Sequence, residues 1–205
     1  MRTLGLLLIS FFFLQNAMAV EDMIPTGSRK PLVVEIGSKA SKELKTVLKS
    51  NLQKEMKAKG PVGAMQFCAN HALELTDQVN QKMRKGTVIK RVSQKYRNPT
   101  NQPDSVDEKV FAYFKMIKEK KGEYPNDFII RIRHKQNKNL EIYRYYEPLV
   151  MDKPCLACHG ENLSEDVKKE LAKLYPNDLA TGYKMGELRG LISVEVHPDV
   201  FVIKK

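Results

Sequence analysis

Between residues 41 and 58, Leu44, Val47, Leu48, Leu52 and Met56 recur in steps of three and four, with lysines at the positions between. That period predicts a helix with one buried stripe. Gly60-Pro61 ends it. A second pattern follows at once through Met65, Cys68, Ala72, Leu75, Val79 and Met83, a helix of roughly five turns. Cys68 therefore stands on a stripe predicted to be buried. His71, three residues on, is predicted to lie close to the same face.

Further along, Ser105-Val106-Asp107-Glu108 reads as a capping box. The helix it opens carries Val110, Phe111, Phe114 and Ile117, and Gly122 and Pro125 close it. The period then changes from helical to alternating. Phe128–Arg133 and Leu140–Tyr146 read as strands, and the polar stretch His134–Asn139 between them reads as a hairpin turn. Pro148 and Pro154 open a loop. A short helix begins near Ser164, carries Val167, Leu171 and Leu174, and stops before Pro176. Gly182, Gly186 and Gly190 mark the next loop, and Leu191–Val196 is the last strand. Helices first and an antiparallel sheet later predict an α+β class. Residues 20–38, with Pro25, Gly27, Ser28, Pro31 and Gly37, read as a loose lead-in.

Residues 1–19 have a different character. Arg2 precedes an apolar run from Leu4 to Leu14, too short to span a bilayer, and Ala17-Met18-Ala19 fits the small-x-small cleavage rule. This predicts a secretory signal peptide, a mature chain from Val20 and a periplasmic location in a bacterium. No transmembrane segment is expected in the mature chain. The full chain has 205 residues and a net charge of +11. Loss of the leader, which holds Arg2 as its one charge, lowers that by one. The remaining length suffices for one domain with a core. The basic balance suits an acidic partner protein and other anionic groups. Nucleic acid is excluded for an exported protein without aromatic residues interleaved among the basic ones. The oligomeric state is left open.

The chemistry sits in Cys155-Leu-Ala-Cys158-His159. C-x-x-C-H is the attachment pattern of a c-type haem, in which two thiols add across the porphyrin vinyl groups and the adjacent imidazole reaches the iron. One covalent haem c is therefore expected. A zinc site would need a second ligand pair at matching spacing. A thioredoxin-like motif would need a βαβ setting, and the surroundings lack it. The chain has three cysteines. If two carry thioethers, Cys68 is either an inert buried thiol or a group the haem uses. The basic run Arg91, Lys95, Arg97, beside Tyr96 and Asn98, is the candidate for propionate contacts. Arg144 and Tyr146 are further candidates. His71, Met65 and Met185 are rival axial ligands, and His134 and His197 read as surface histidines.

Four segments then carry a resemblance in order. They are Ala64-Met-Gln-Phe-Cys68, Lys90-Arg-Val-Ser-Gln-Lys-Tyr-Arg-Asn-Pro99-Thr-Asn-Gln-Pro103, Cys155-Leu-Ala-Cys158-His159-Gly160 and Gly182-Tyr-Lys-Met-Gly-Glu-Leu-Arg-Gly190. From about residue 40 to the C-terminus the chain resembles the PAS-like c-type haem domains called Tll-like haem-binding domains. The resemblance implies an antiparallel sheet flanked by helices, one domain over 39–205, and haem held from a loop between strands. It also implies His159 on one side of the iron and the Cys68 thiolate on the other. Thiolate donation favours the ferric state and a low potential. If Cys68 leaves on reduction, a redox change becomes a helix displacement.

The expected function is that of a six-coordinate redox sensor or one-electron carrier. The alternative is a gas or small-ligand sensor in which the weaker axial ligand is displaced. An enzyme such as a peroxidase needs an open iron position and a distal acid–base pair, and a sixth protein ligand blocks the first of these.

Overall fold

The computed structural model describes residues 19–22, 30–133 and 141–201. Its strands are β1 (Ala19–Asp22), β2 (Thr87–Val92), β3 (Phe128–Arg133), β4 (Glu141–Val150) and β5 (Leu188–Val196). Its helices are α1 (Lys30–Lys82), α2 (Ser105–Lys121), α3 (Leu156–His159) and α4 (Glu165–Leu174). All strand pairs are antiparallel, in the order β1-β3-β4-β5-β2. The class is α+β and PAS-like, as expected. The segment bearing Cys155, Cys158 and His159 lies between β4 and β5.

The two faces of the sheet bury different helices because side chains alternate along each strand. On one face Ile89, Ile129, Tyr143, Tyr145, Ile192, Val194 and Val196 pack with Val33, Ala40, Leu44 and Val79 of α1. On the other, Val92, Ile130, Ile132, Ile142, Tyr146 and Leu191 pack with Val106, Val110, Phe111 and Phe114 of α2. Phe111 and Phe114 are almost wholly buried, each contributing about 1.5–3 kcal/mol of transfer free energy.

Helix α1 begins earlier than the sequence suggested. The stretch from Lys30 to Ser38 is helical and not a loose lead-in. Val33 and Ala40 continue the stripe of Leu44 onto the sheet. Pro31 stands in the first turn, where it is tolerated. Gly37 is required for close approach, since a Cβ there would come within 2.2 Å of Tyr145 Cγ. Beside it, Ser41 and Lys45 both donate to the Glu147 carboxylate. At Gly60 the helix breaks, with φ 67 and ψ −169, a conformation available essentially to glycine alone. The break sends the second arm of α1 in a new direction, with Pro61 starting it.

Helix α2 is capped one residue earlier than expected, by Asp104. Asp104 Oδ1 accepts from the Val106 and Asp107 amides at 2.9 and 2.8 Å, and Asp107 Oδ2 accepts from the Asp104 amide at 3.0 Å. Gly122 ends the helix in the left-handed region. Residues 1–18, which hold nearly all of the expected leader, and His134 with its turn lie outside the described residues. The expected cleavage point between Ala19 and Val20 falls within β1. Among the described residues no helix is long and apolar enough to cross a membrane.

Candidate functional site

Strand β4 runs through Met151 into a 3-10 turn, Lys153–Cys155, whose start is fixed by Asp152 Oδ1 accepting from the Lys153 amide at 2.7 Å. The chain continues directly into α3. Helical turns place Cys155, Cys158 and His159 along one side of a short rod, since residues three and four apart are neighbours there. Both thiols are free. Cys155 packs beside Met151, Ala180 and Tyr183. Cys158 packs against Val62, Met65, Val167 and Leu171, and its Sγ lies 3.9 Å from the Pro61 carbonyl oxygen at the break in α1.

The loop after α4 clamps this rod. Gly182 N donates to Gly160 O at 3.0 Å, and Tyr183 N donates to His159 O at 2.9 Å. His159 Nδ1 lies 2.7 Å from Ala180 O. A carbonyl oxygen only accepts, so Nδ1 carries the proton and Nε2 keeps its lone pair for a metal. Burial holds the imidazole well below its usual pKa, and the Arg189 and Arg97 guanidiniums act in the same direction. His159 is thus a neutral, oriented donor. The Tyr183 ring stands edge-on to it, with centroids 6.4 Å apart.

Four cations lie about the rod, and one of them, Lys95, donates to Thr181 O and holds its Nζ 4.3 Å from the Tyr183 ring centroid. Arg97 is engaged through two of its nitrogens: Nη2 donates to Cys158 O at 2.7 Å, Asp178 Oδ2 at 3.0 Å and Ala180 O at 3.3 Å, and Nε reaches both Asp178 oxygens at 3.2 Å. Arg189 donates to Ser93 Oγ at 2.5 Å and Lys95 O at 3.0 Å. Arg91, on β2, differs. Its Nε is buried with no hydrogen-bond partner among the described residues. Burial lowers its pKa, an effect opposed by Cys68 and Tyr175 nearby.

Cys68 sits on the second arm of α1 as a half-buried free thiol. Burial pushes it up, and the Arg91 and Arg97 charges pull it back. Cys158 and Tyr175 both feel the charge of Cys68. The fold therefore gathers Cys68, Arg91, Arg97, Tyr175 and the C-x-x-C-H rod into one electrostatic neighbourhood. Tyr96, also expected there, contributes its carbonyl to the Leu179 amide at 3.1 Å.

The rival ligands go elsewhere. His71 is 51% exposed, with Nδ1 3.4 Å from Glu74 Oε2, because it lies off the buried stripe. Met65 is buried against Val167 and Leu171, and Met185 is exposed. His197 Nε2 pairs with Glu195 Oε1 at 2.7 Å. Arg144 and Tyr146 face α2. Arg144 Nη1 donates to Asp104 Oδ2 at 2.6 Å, its Nε donates to Glu195 Oε2 at 2.9 Å, and Tyr146 Oη donates to Asp107 Oδ1 at 2.7 Å. Sequence reasoning assigned no role to Tyr175, Asp178, Ala180, Tyr183 or Arg189. Tyr183 and Arg189 were visible as the aromatic and basic members of the Gly182–Gly190 segment. Asp178 and Ala180 act through one carboxylate and one carbonyl in a loop of no fixed pattern.

The family model described as Tll0287-like matches residues 14–197. This chain belongs to the Tll0287-like family. Among solved structures it is similar to the cyanobacterial heme-protein Tll0287, at 21% identity and a TM-score of 0.58. That match covers 84% of this chain and 98% of the other, a likeness of fold. No curated protein matches the chain by sequence.

The donor set of this Tll0287-like chain suits a covalently held haem. Two free thiols stand beside an imidazole with Nδ1 tied and Nε2 available. A third thiol is near, and a buried guanidinium has an unsatisfied nitrogen that a carboxylate would satisfy.

Proposed function

We propose that the protein is an exported monohaem c-type cytochrome acting as a redox sensor or one-electron carrier. The observation that carries this reading is the Nδ1 hydrogen bond of His159 to Ala180 O. It fixes the tautomer that an axial imidazole requires, on a helical turn that also bears two free thiols. The haem supplies a one-electron Fe(III)/Fe(II) couple. Cys155 and Cys158 would hold it through thioether sulfurs, and His159 Nε2 and Cys68 Sγ would be the iron ligands. Arg91 pairs with a propionate through the nitrogen that lacks a partner. Arg97 is held by Asp178 and serves the polypeptide around the rod. The net charge, +11 for the full chain and one less without the leader, suits an acidic redox partner. The leader-like residues 1–19 support export to the periplasm, where covalent haem attachment takes place.

A second reading, a gas or small-ligand sensor, draws on one feature. Burial favours the neutral form of the Cys68 thiol, and a neutral thiol would be the more readily displaced ligand.

Export of the chain alongside a cytochrome c maturation system tests both readings. The expected product keeps its pigment in acidified organic solvent and is six-coordinate in both oxidation states. A colourless protein ends the proposal. Rapid CO binding on reduction selects the sensor over the carrier.

A further inference from the structure

We propose that Arg97 is a positioning residue that raises the reduction potential of iron held by His159, by sharing the Ala180 carbonyl with the imidazole. The proposal rests on the haem reading above and deepens it.

The geometry is a closed loop around one carbonyl group. Ala180 O receives His159 Nδ1 at 2.7 Å and Arg97 Nη2 at 3.3 Å. The Ala180 amide donates to Asp178 Oδ1 at 2.8 Å, and Asp178 Oδ2 takes Arg97 Nη2 at 3.0 Å. The side chains of Arg97 and Asp178 are only 11% and 8% exposed, so solvent screens the pair weakly. The same Nη2 reaches Cys158 O at 2.7 Å, which ties the cation to the motif itself.

An axial imidazole donates more electron density as its Nδ1 proton is shared more strongly, and that favours the ferric state. A guanidinium on the accepting oxygen makes that oxygen a poorer acceptor. It also places a positive charge near the iron, which favours the less charged ferrous state. The two effects share a sign. Asp178 opposes the second, because its negative charge compensates the cation.

Opposite shifts follow for the two partners of one ion pair, an outcome that loss of a structural clamp would not produce. Arg97→Gln keeps a donor and loses the charge. Asp178→Asn keeps the Oδ1 acceptor for the Ala180 amide and loses its charge. The test is a spectroelectrochemical titration of the haem-loaded exported protein with dithionite and ferricyanide. It moves one electron on or off the iron and makes or breaks no bond between Arg97, Ala180 and His159. The expected result is a lower midpoint for Arg97→Gln and a higher one for Asp178→Asn, with the ferric resonance signal of the parent kept in both.

Unmoved midpoints, or shifts in a common direction, overturn the proposal. If Arg97→Gln does not fold, Asp178→Asn decides alone, an upward shift supporting the proposal and any other result overturning it. A parent without covalent haem overturns the functional reading and this proposal together. A haem-bearing parent with unresponsive variants overturns the proposal alone.

Discussion

His159 Nδ1 and the carbonyl oxygen of Ala180 are 2.7 Å apart, across 21 residues of chain. The bond joins the end of α3 to the loop after α4, so the orientation of the imidazole depends on a segment remote in sequence. Burial next to two guanidiniums keeps the ring neutral, which has a consequence for stability. Its folded pKa lies below the usual 6.5. Between those two values the unfolded chain holds a proton that the folded chain does not. The contribution of His159 is therefore complete above pH 6.5 and is lost as pH falls toward the folded pKa. The slope is at most about 1.4 kcal/mol per pH unit. Iron on Nε2 would deepen the same trend, since the lone pair is then taken. Urea unfolding at pH 7.5 and 5.5 should show weaker folding at the lower pH. His159→Asn, which keeps a donor for Ala180 O, should show a shallower dependence. An equal slope in the two proteins would dismiss the argument.

Cys68 offers a sharper test of ligation. It is near the C-x-x-C-H rod and close enough to Arg91 and Arg97 for both charges to act on it. On the proposed ligation, replacement by alanine would remove the thiolate ligand, so the ferric electron paramagnetic resonance signal should lose its low-spin thiolate character and the midpoint should rise. Covalent haem should be retained, because Cys155 and Cys158 are untouched. An unchanged low-spin signal in Cys68→Ala assigns the sixth position to another group.

Periodic features of the chain were legible in the sequence, and features depending on one contact were not. The stripes of α1 and α2 and the strands β3 and β5 follow from repeated apolar positions. His71 shows the limit of such patterns. Three residues turn a helix by about 300°, which leaves His71 roughly 60° to one side of Cys68. C-terminal to Cys68, the buried residues Ala72, Thr76 and Val79 lie to the other side. A histidine adjacent in sequence spacing is thus exposed in space. Strand β2 was hidden for another reason. Lys90 and Arg91 interrupt its β-branched run, yet Lys90 satisfies Asp107 on the α2 face at 2.9 Å, and Arg91 points to the α1 face. Both charges are half-buried on a strand, Lys90 paired with Asp107 and Arg91 with a buried Nε that no described residue satisfies. Pro31 and Gly37 read as loop residues, but one suits a first turn and the other admits Tyr145.

Gly60 connects fold and site. Its φ of 67 with ψ −169 is essentially closed to other residues. The following carbonyl, that of Pro61, is the one facing Cys158 Sγ. Gly60→Ala should destabilise the protein by about 1–3 kcal/mol, measured by urea unfolding. Among the described residues, no atom beyond the adjoining helix backbone stands within 4 Å of the added Cβ, so the cost would come from the backbone alone. A variant as stable as the parent would mean that the break can be relieved by a small rotation of the second arm.

Asp107 tests whether the two faces of the sheet act separately. Its carboxylate is fully buried, 0% exposed. It accepts Tyr146 Oη at 2.7 Å and Lys90 Nζ at 2.9 Å, with Arg144 Nη1 at 3.5 Å. Burial, followed by the Asp107 charge, raises the Tyr146 phenol far above its usual range, so the phenol always donates. Asp107→Asn leaves Lys90 and Arg144 with less negative charge between them. It also places an amide where four donors converge, the Asp104 amide among them. The expected loss is about 3–5 kcal/mol, the range for breaking one partner of a buried ion pair. None of the site cations or thiols lies in this network, and the sheet separates it from α1. The haem spectrum and the midpoint should therefore match the parent while the urea midpoint falls. A shifted spectrum at full folding would show that strain on the α2 face is transmitted through the sheet to Cys68 or His159.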